Sequence, residues 1–336
     1  MAADATHHRD LVVLGASAGG VEALRDVISG LPADLPAAVL AVLHMPARGD
    51  TVLAAILDRC GPLPARPARH GEALLPGQVY VAVPDHHLLV RDGCVQLSRA
   101  AKQNRARPAV DALFRSAARW SGARTVAAVL SGSLDDGAAG LAAVDAAGGV
   151  CMVQDPADAL FPGMPRAALA VVPDALVCGA GAMGQRIRER AAGHVAVPAT
   201  PFSTQDLIVE TDMAEDGSHT DAGERPGRPA ALSCPDCTGG MNVVQTGAAV
   251  HFTCHTGHMW SPQSLLAAQQ ERVEQALWTA VSIMEEQASV HGDLARRAAS
   301  TGSDGLTEKH QRAAAEEIRM AVGVIRKHFP EYVLPV

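Results

Sequence analysis

The stretch LVVLGASAGGVEALRDVI, residues 11–28, passes from an unbroken apolar run through small residues into apolar positions at helical spacing. That pattern predicts a buried strand, a tight turn and a helix, the repeating unit of a parallel α/β sheet. A glycine-rich turn of this kind can cradle a phosphate. A dinucleotide fingerprint, however, needs a second glycine where Ser17 stands, and an acid ending the next strand, where the chain has His44. A P-loop needs Gly-Lys-Ser/Thr, and no lysine follows. What survives is a serine on a sharp turn among Gly15, Ala16, Ala18, Gly19 and Gly20, near the positive end of the helix that follows. The spacing is not the G-x-S-x-G of α/β-hydrolases.

Outward from this turn the same alternation continues. Apolar runs at 38–44, 79–83, 94–98, 125–132 and 148–155 alternate with helical stretches near 20–30, 50–59, 109–120, 138–147 and 165–170. This predicts a three-layer α/β/α domain over residues 10–194, with a mostly parallel, doubly wound sheet. VYVAVPDHHLLV and CVQLSR, joined by Arg91-Asp92-Gly93, read as a local antiparallel hairpin. Residues 1–9 read as a disordered tail and 195–230 as an acidic linker, in which DLIVE forms at most one strand. Between Asp206 and Glu224 there are seven acids and no lysine or arginine.

Composition narrows the function. A net charge of −8 disfavours nucleic acid as the main partner. No apolar run is long enough to span a bilayer, so membrane insertion is not expected. The N-terminus lacks the basic and apolar regions of a signal peptide, and seven mostly scattered cysteines argue against a disulfide framework. A cytoplasmic setting is expected.

Functional residues of a parallel sheet gather at the carboxyl ends of its strands. His44 ends the second strand, in AVLHMP, and Asp136 follows the strand TVAAVLSG, in SGSLDDGAAG. Ser17, His44 and Asp136 therefore project from one edge, as a nucleophile, a base and an orienting carboxylate would. Taken singly, His44 reads equally as a strand-end cap and Asp136 as a helix N-cap.

GASAGGVEAL, LHMP, RPAVDALF, SGSLDDGAAGL and FPGMPRAAL resemble, in order and spacing, the motifs of CheB-type chemotaxis-receptor protein-glutamate methylesterases. The resemblance covers residues 11 to about 190. It implies a Ser-His-Asp hydrolase that needs no cofactor for catalysis. Such an enzyme removes methyl from glutamyl methyl esters on a methyl-accepting chemoreceptor and deamidates selected glutamines. By motif, Ser17 is the nucleophile, His44 the general base and Asp136, rather than Asp135, the orienter. Backbone near Ser133 and the Ser17–Ala18 turn supply oxyanion donors. His87, in PDHHLLV, lines the pocket or caps a loop with Asp85, and Arg107 meets an acidic receptor surface or packs at a helix start.

The chain departs from the family pattern in three ways. Ala18 stands where threonine is usual. Gly132-Ser133-Leu134 replaces a Gly-Met-Gly turn. Only ten residues precede the first strand, so no phosphorylatable receiver domain is expected in this chain. These departures leave two rivals open: a catalytically weak signalling scaffold with the same fold, and a serine esterase acting on another ester.

Farther on, Cys234, Cys237, Cys254 and His258 form C-x2-C, sixteen intervening residues, then C-x3-H, the ligand pattern of a structural zinc site. His255 is a rival ligand with poorer spacing. Residues 231–262 thus read as a zinc-ribbon-like module. Residues 263–336 read as a helical hairpin, a surface for a further protein partner. Leu266, Val273, Leu277, Ala280 and Met284 form one stripe of that hairpin, and Ile318, Val322, Ile325 and Phe329 the other.

Overall fold

The computed structural model describes residues 6–48, 52–196, 204–216, 225–301 and 305–328. From the N-terminus, β1 (Thr6–His8) and β2 (Leu11–Ala16) lead into α1 (Gly20–Ser29). β3 (Ala38–Leu43), α2 (Leu53–Asp58), β4 (Ala65–Pro67) and β5 (Val79–Val81) follow, then β6 (His87–Arg91) and β7 (Cys94–Ser98). Next come α3 (Val110–Ser121), β8 (Thr125–Val129), α4 (Ala138–Ala146), β9 (Val150–Gln154), α5 (Gly163–Val171), β10 (Leu176–Cys178) and α6 (Ala180–Ala191). β11 (His194–Ala196), α7 (Gln205–Asp216), β12 (Arg228–Ser233), β13 (Gly240–Thr246), β14 (Ala249–Cys254) and β15 (Met259–Trp260) precede two long helices, α8 (Pro262–Ser300) and α9 (Gly305–His328). The chain divides into two compact units, at Leu265 and Leu266.

In the first unit, seven parallel strands form one sheet in the order β10-β9-β8-β2-β3-β5-β4. The chain builds outward from β2 on one side and returns to build outward from β8 on the other. β2 and β8 therefore flank the topological switch point, where a parallel sheet leaves a crevice at its carboxyl edge. Alternate residues feed two cores. Leu11 and Val13 pack with α3, α4 and α5, whereas Val12, Leu14 and Ala16 pack with α1, α2 and α6. Strands buried on both faces are why these runs are apolar throughout. β6 and β7 form the expected antiparallel hairpin.

Two parts of this unit differ from the sequence reading. Thr6–His8, read as part of a disordered tail, pairs antiparallel with β11. Within the stretch read as an acidic linker, DLIVE is helical and belongs to α7. Leu207, Val209, Met213 and Ala214 are buried there, and its acids meet basic side chains that are remote in sequence. Arg119 bonds Asp212 at 2.6 Å, Arg91 bonds Glu215 at 2.8 Å, and His251 bonds Glu210. The acids read as solvated because none of those partners lies nearby in the chain. The linker residues 197–203 and 217–224, the tail residues 1–5 and Phe329 lie outside the described residues.

β12, β13, β14 and β15 form a four-stranded antiparallel sheet that clusters with the first unit. It begins at Arg228, slightly before the boundary read from sequence.

In the second unit, α8 and α9 run as a hairpin tied by His291 to Gln311 at 2.6 Å and Arg326 to Glu285 at 2.9 Å. The buried stripe is Val281, Ala288, Ala295 and Ala298 against Ala315 and Val322. Leu266, Val273 and Ala280, expected to face inward, are instead exposed. Leu277, Met284, Ile318 and Ile325 are half-buried beside that stripe, whereas Leu266 and Val273 fall on a neighbouring, exposed face. No described helix is long and apolar enough to cross a membrane.

Candidate active site

β2 delivers Ser17 at its carboxyl end. The turn closes through Gly19, whose φ of +68° lies in the left-handed region. A Cβ there would meet Ser131 Oγ at 2.8 Å, so both backbone angle and space require glycine. The Ser17 amide donates to Ser131 O at 2.9 Å, and Gly20 N donates to Ser17 O at 2.9 Å. One strand over, β3 ends at His44, whose amide donates to Ala16 O at 3.1 Å. The loop after β8 supplies Asp136.

These three side chains form one line. His44 Nδ1 lies 3.1 Å from Ser17 Oγ, and His44 Nε2 lies 2.6 Å from Asp136 Oδ2. With Nε2 carrying the proton toward the carboxylate, Nδ1 is the free lone pair that faces the serine hydroxyl. The His44 side chain is 21% exposed and Asp136 only 3%, so the carboxylate is buried while the imidazole reaches solvent.

Asp136 accepts further bonds from Val110 N at 2.7 Å, Asp111 N at 3.1 Å and Asn104 Nδ2 at 2.9 Å. Burial opposes its charge. Hydrogen bonds from His44, Asn104 and Val110 outweigh that and hold the carboxyl well below the usual range. Asp136 therefore stays ionised. Its neighbours are pushed the other way. Burial, with the Asp136 charge, drives Asp111 up to about 7. Burial also drives Asp135 up to about 6, against a hydrogen bond from Ser261 and with the Asp136 charge. Asp111 braces the helix start by accepting from Gly137 N at 3.0 Å and Gly140 N at 2.6 Å.

The other expected site residues are placed less simply. Ser133 is exposed beside the site, and Ala18 lies half-buried on the turn. The Ser17 N–H is committed to Ser131, which leaves the Ala18 N–H as the turn's candidate oxyanion donor. Leu134, exposed beside it, has a left-handed backbone, at φ 60°. His87 does not line an open pocket. It is fully buried, its Nε2 donates to Ala101 O at 3.0 Å, and its Nδ1 accepts from Ala109 N at 3.3 Å. Burial lowers its pKa to about 4, as suits a neutral ring with one donor and one acceptor. Arg107 is turned inward to Asp85 and to the carbonyls of Arg99 and Ala100, so its fork is already occupied.

Asn104 was missed. Its Nδ2 bonds Asp136 and Asp111, while its Oδ1 accepts from Ser261 N at 2.7 Å and Ser264 Oγ at 3.0 Å. Ser261 Oγ also donates to Asp135. Residues just after the antiparallel sheet are thus tied, through Asn104, to the carboxylate that bonds His44. Asn104 N adds a bond to Met259 O at 2.8 Å. The sequence offers only a turn signal at Asn104, because Met259, Ser261 and Ser264, which it ties to the site, lie more than 150 residues away.

Cys234, Cys237, Cys254 and His258 gather at the other end of that sheet, with their ligand atoms within 4.8 Å of one another. Cys237 and Cys254 sulfurs are 3.6 Å apart, and Cys254 Sγ is 3.5 Å from His258 Nδ1. Burial pushes the Cys254 thiol up, but hydrogen bonds with His258 and Thr256 outweigh it and bring it to about 6. His255 lies outside this group.

A serine, a histidine and a buried aspartate thus meet in one hydrogen-bonded line at three strand ends of a doubly wound α/β sheet. The chain belongs to the CheB methylesterase family, whose pattern matches residues 12–187. It is 46% identical over 162 residues to the protein-glutamate methylesterase/protein-glutamine glutaminase 2 of Xanthomonas oryzae pv. oryzae, covering 47% of this chain and 45% of that protein. A Bordetella avium protein of the same name is 42% identical over 191 residues, covering 55% of this chain and 54% of the relative. The chain thus spans about half the length of the curated relatives it matches. The crystal structure of the Thermotoga maritima CheB methylesterase catalytic domain superposes with a TM-score of 0.51 at 34% identity, over 54% of this chain and 97% of that domain.

The geometry can be tested without a substrate, by the rate at which a fluorophosphonate labels Ser17. His44→Ala is expected to slow labelling by about 100-fold or more, the scale of general-base assistance. Asn104→Ala is expected to slow it roughly tenfold, as loss of one hydrogen bond to a charged group implies. Equal labelling of wild type and His44→Ala would separate the histidine from the serine.

Proposed function

We propose that this chain is a protein-glutamate methylesterase that hydrolyses glutamyl methyl esters on methylated chemoreceptors. The observation that carries the reading is the continuous line Ser17 Oγ, His44 Nδ1, His44 Nε2 and Asp136 Oδ2. The family's curated relatives bear that activity in their names.

In the first half-reaction His44 Nδ1 takes the Ser17 proton as Oγ attacks the ester carbonyl. The charge developing on the carbonyl oxygen is met by the positive end of α1 and the Ala18 N–H. Collapse breaks the carbonyl–methoxy bond, and His44 returns the proton to methoxide, releasing methanol. Water then attacks the acyl-enzyme with His44 again as base, and Ser17 leaves with the proton, giving free glutamate. The same steps on a glutamine release ammonia, which is the second activity named for the relatives. Asp136 keeps Nε2 protonated and steadies the imidazolium. The opening is consistent with a side chain reached on a protein surface, since His44 and Ser17 are only partly covered.

The antiparallel sheet is read as a zinc ribbon. A tetrahedral site with zinc–sulfur bonds of about 2.3 Å sets sulfurs about 3.8 Å apart, and the observed spacing fits that cage. His258 Nε2 faces Asp236 at 3.6 Å, a carboxylate that would orient the ring for Nδ1 ligation. Four protein ligands close the site, so its role is structural.

Two measurements follow. Wild type is expected to release methanol from methylated receptor and Ser17→Ala to lose at least about 1,000-fold in rate. Release that persists in Ser17→Ala would remove the assignment, and no release by a folded wild type would favour a scaffold. Metal analysis of the purified chain is expected to find about one zinc, lost from Cys234→Ser/Cys237→Ser. Unchanged content would exclude the ribbon as the zinc site.

A further inference from the structure

Apolar residues on α8 recur at heptad spacing along a face that α9 does not cover. Leu266, Val273, Ala280, Gln287 and Leu294 follow one another every seventh residue, interleaved with Gln269, Ala276, Ile283 and Val290. Such a pattern is the seam of a coiled coil. Its large members are open to solvent: Leu266 is 66% exposed, Val273 50%, Ile283 49% and Val290 57%. At its middle Ala276, Thr279 and Ala280 leave a shallow groove bordered by Arg272 and Ile283.

The order of residues along the seam identifies its occupant, because it is symmetric about Trp278. In an antiparallel pair of identical helices centred there, Leu266 meets Val290, Gln269 meets Gln287, Val273 meets Ile283 and Ala276 meets Ala280. Every layer is apolar against apolar or amide against amide, and the smallest residues lie at the crossing, where the backbones come closest. Flanking the seam, Arg272 of one copy comes beside Glu286 of the other, and two-fold symmetry makes that pair twice. A parallel arrangement would set Arg272 against Leu277 and form no such pair. A foreign helix would place no symmetry requirement on this sequence.

We propose that α8 pairs antiparallel with α8 of a second copy of this chain, so that two hairpins form a four-helix bundle about a two-fold axis at Trp278. Each α8 then packs α9 along its alanine stripe and its twin along the neighbouring face, as helices do in such bundles. The pairing does not depend on the esterase reading.

Sedimentation velocity and light scattering on the full chain test it. Wild type is expected at the mass of two chains, and Ile283→Glu or Val273→Glu at the mass of one. Both sites are half-exposed in the single chain, so circular dichroism and thermal midpoint should be unchanged in the monomer. Arg272→Glu is expected to weaken dimerisation by about fivefold to tenfold, since two attractions become repulsions. Adding Glu286→Arg to it should restore the wild-type affinity. A wild type that is monomeric at micromolar concentration overturns the proposal, whether or not it gains mass on adding receptor helices. So does a dimer indifferent to both glutamates, or a charge swap that fails to restore pairing.

Discussion

The carboxylate of Asp136 is the point on which the first unit turns. It is buried, it is ionised, and it is held by donors from His44, Asn104, Val110 and Asp111. A buried charge is costly unless it is fully hydrogen-bonded, and here the donors come from three separate segments. The amides of α3 meet it, the strand-end histidine leans on it, and Asn104 ties it to the antiparallel sheet through Ser261 and Ser264. Charge compensation, helix placement and base orientation are thus one interaction seen from three sides.

The topology makes that meeting unavoidable. β2, β3 and β8 are adjacent, so residues at their carboxyl ends converge with no further device. Gly15 completes the arrangement. A Cβ there would come within 2.1 Å of Val110 Cγ1, so the bare backbone of β2 is what lets the start of α3 bring its amides to Asp136.

Much of this was legible in the chain. Strands buried on both faces announce themselves as apolar runs, and a serine, a histidine and an aspartate at strand ends need only the sheet to be parallel. What could not be read is what depends on partners far away in sequence. Asn104 looks like any turn asparagine until Ser261 lies beside it. Glu210 and Glu215 look solvated until His251 and Arg91 arrive. His87 and Arg107 sit in motifs that suggest a working surface, yet both spend their hydrogen bonds holding the loop that leads into α3. In the hairpin, Val322 is buried and Leu277, Met284, Ile318 and Ile325 are half-buried as their spacing predicts, whereas Leu266 and Val273, equally apolar, fall on a neighbouring face that spacing alone does not separate.

The central claim is that Ser17 is the nucleophile that the Asp136-anchored His44 activates. Acid quenching during turnover of a glutamyl methyl ester peptide, followed by peptide mapping, tests it most directly. An acyl adduct is expected on the fragment containing Ser17, absent when the same peptide carries a free glutamate. Methanol release with no adduct at Ser17 under conditions that slow deacylation, or an adduct on any other residue, would contradict it.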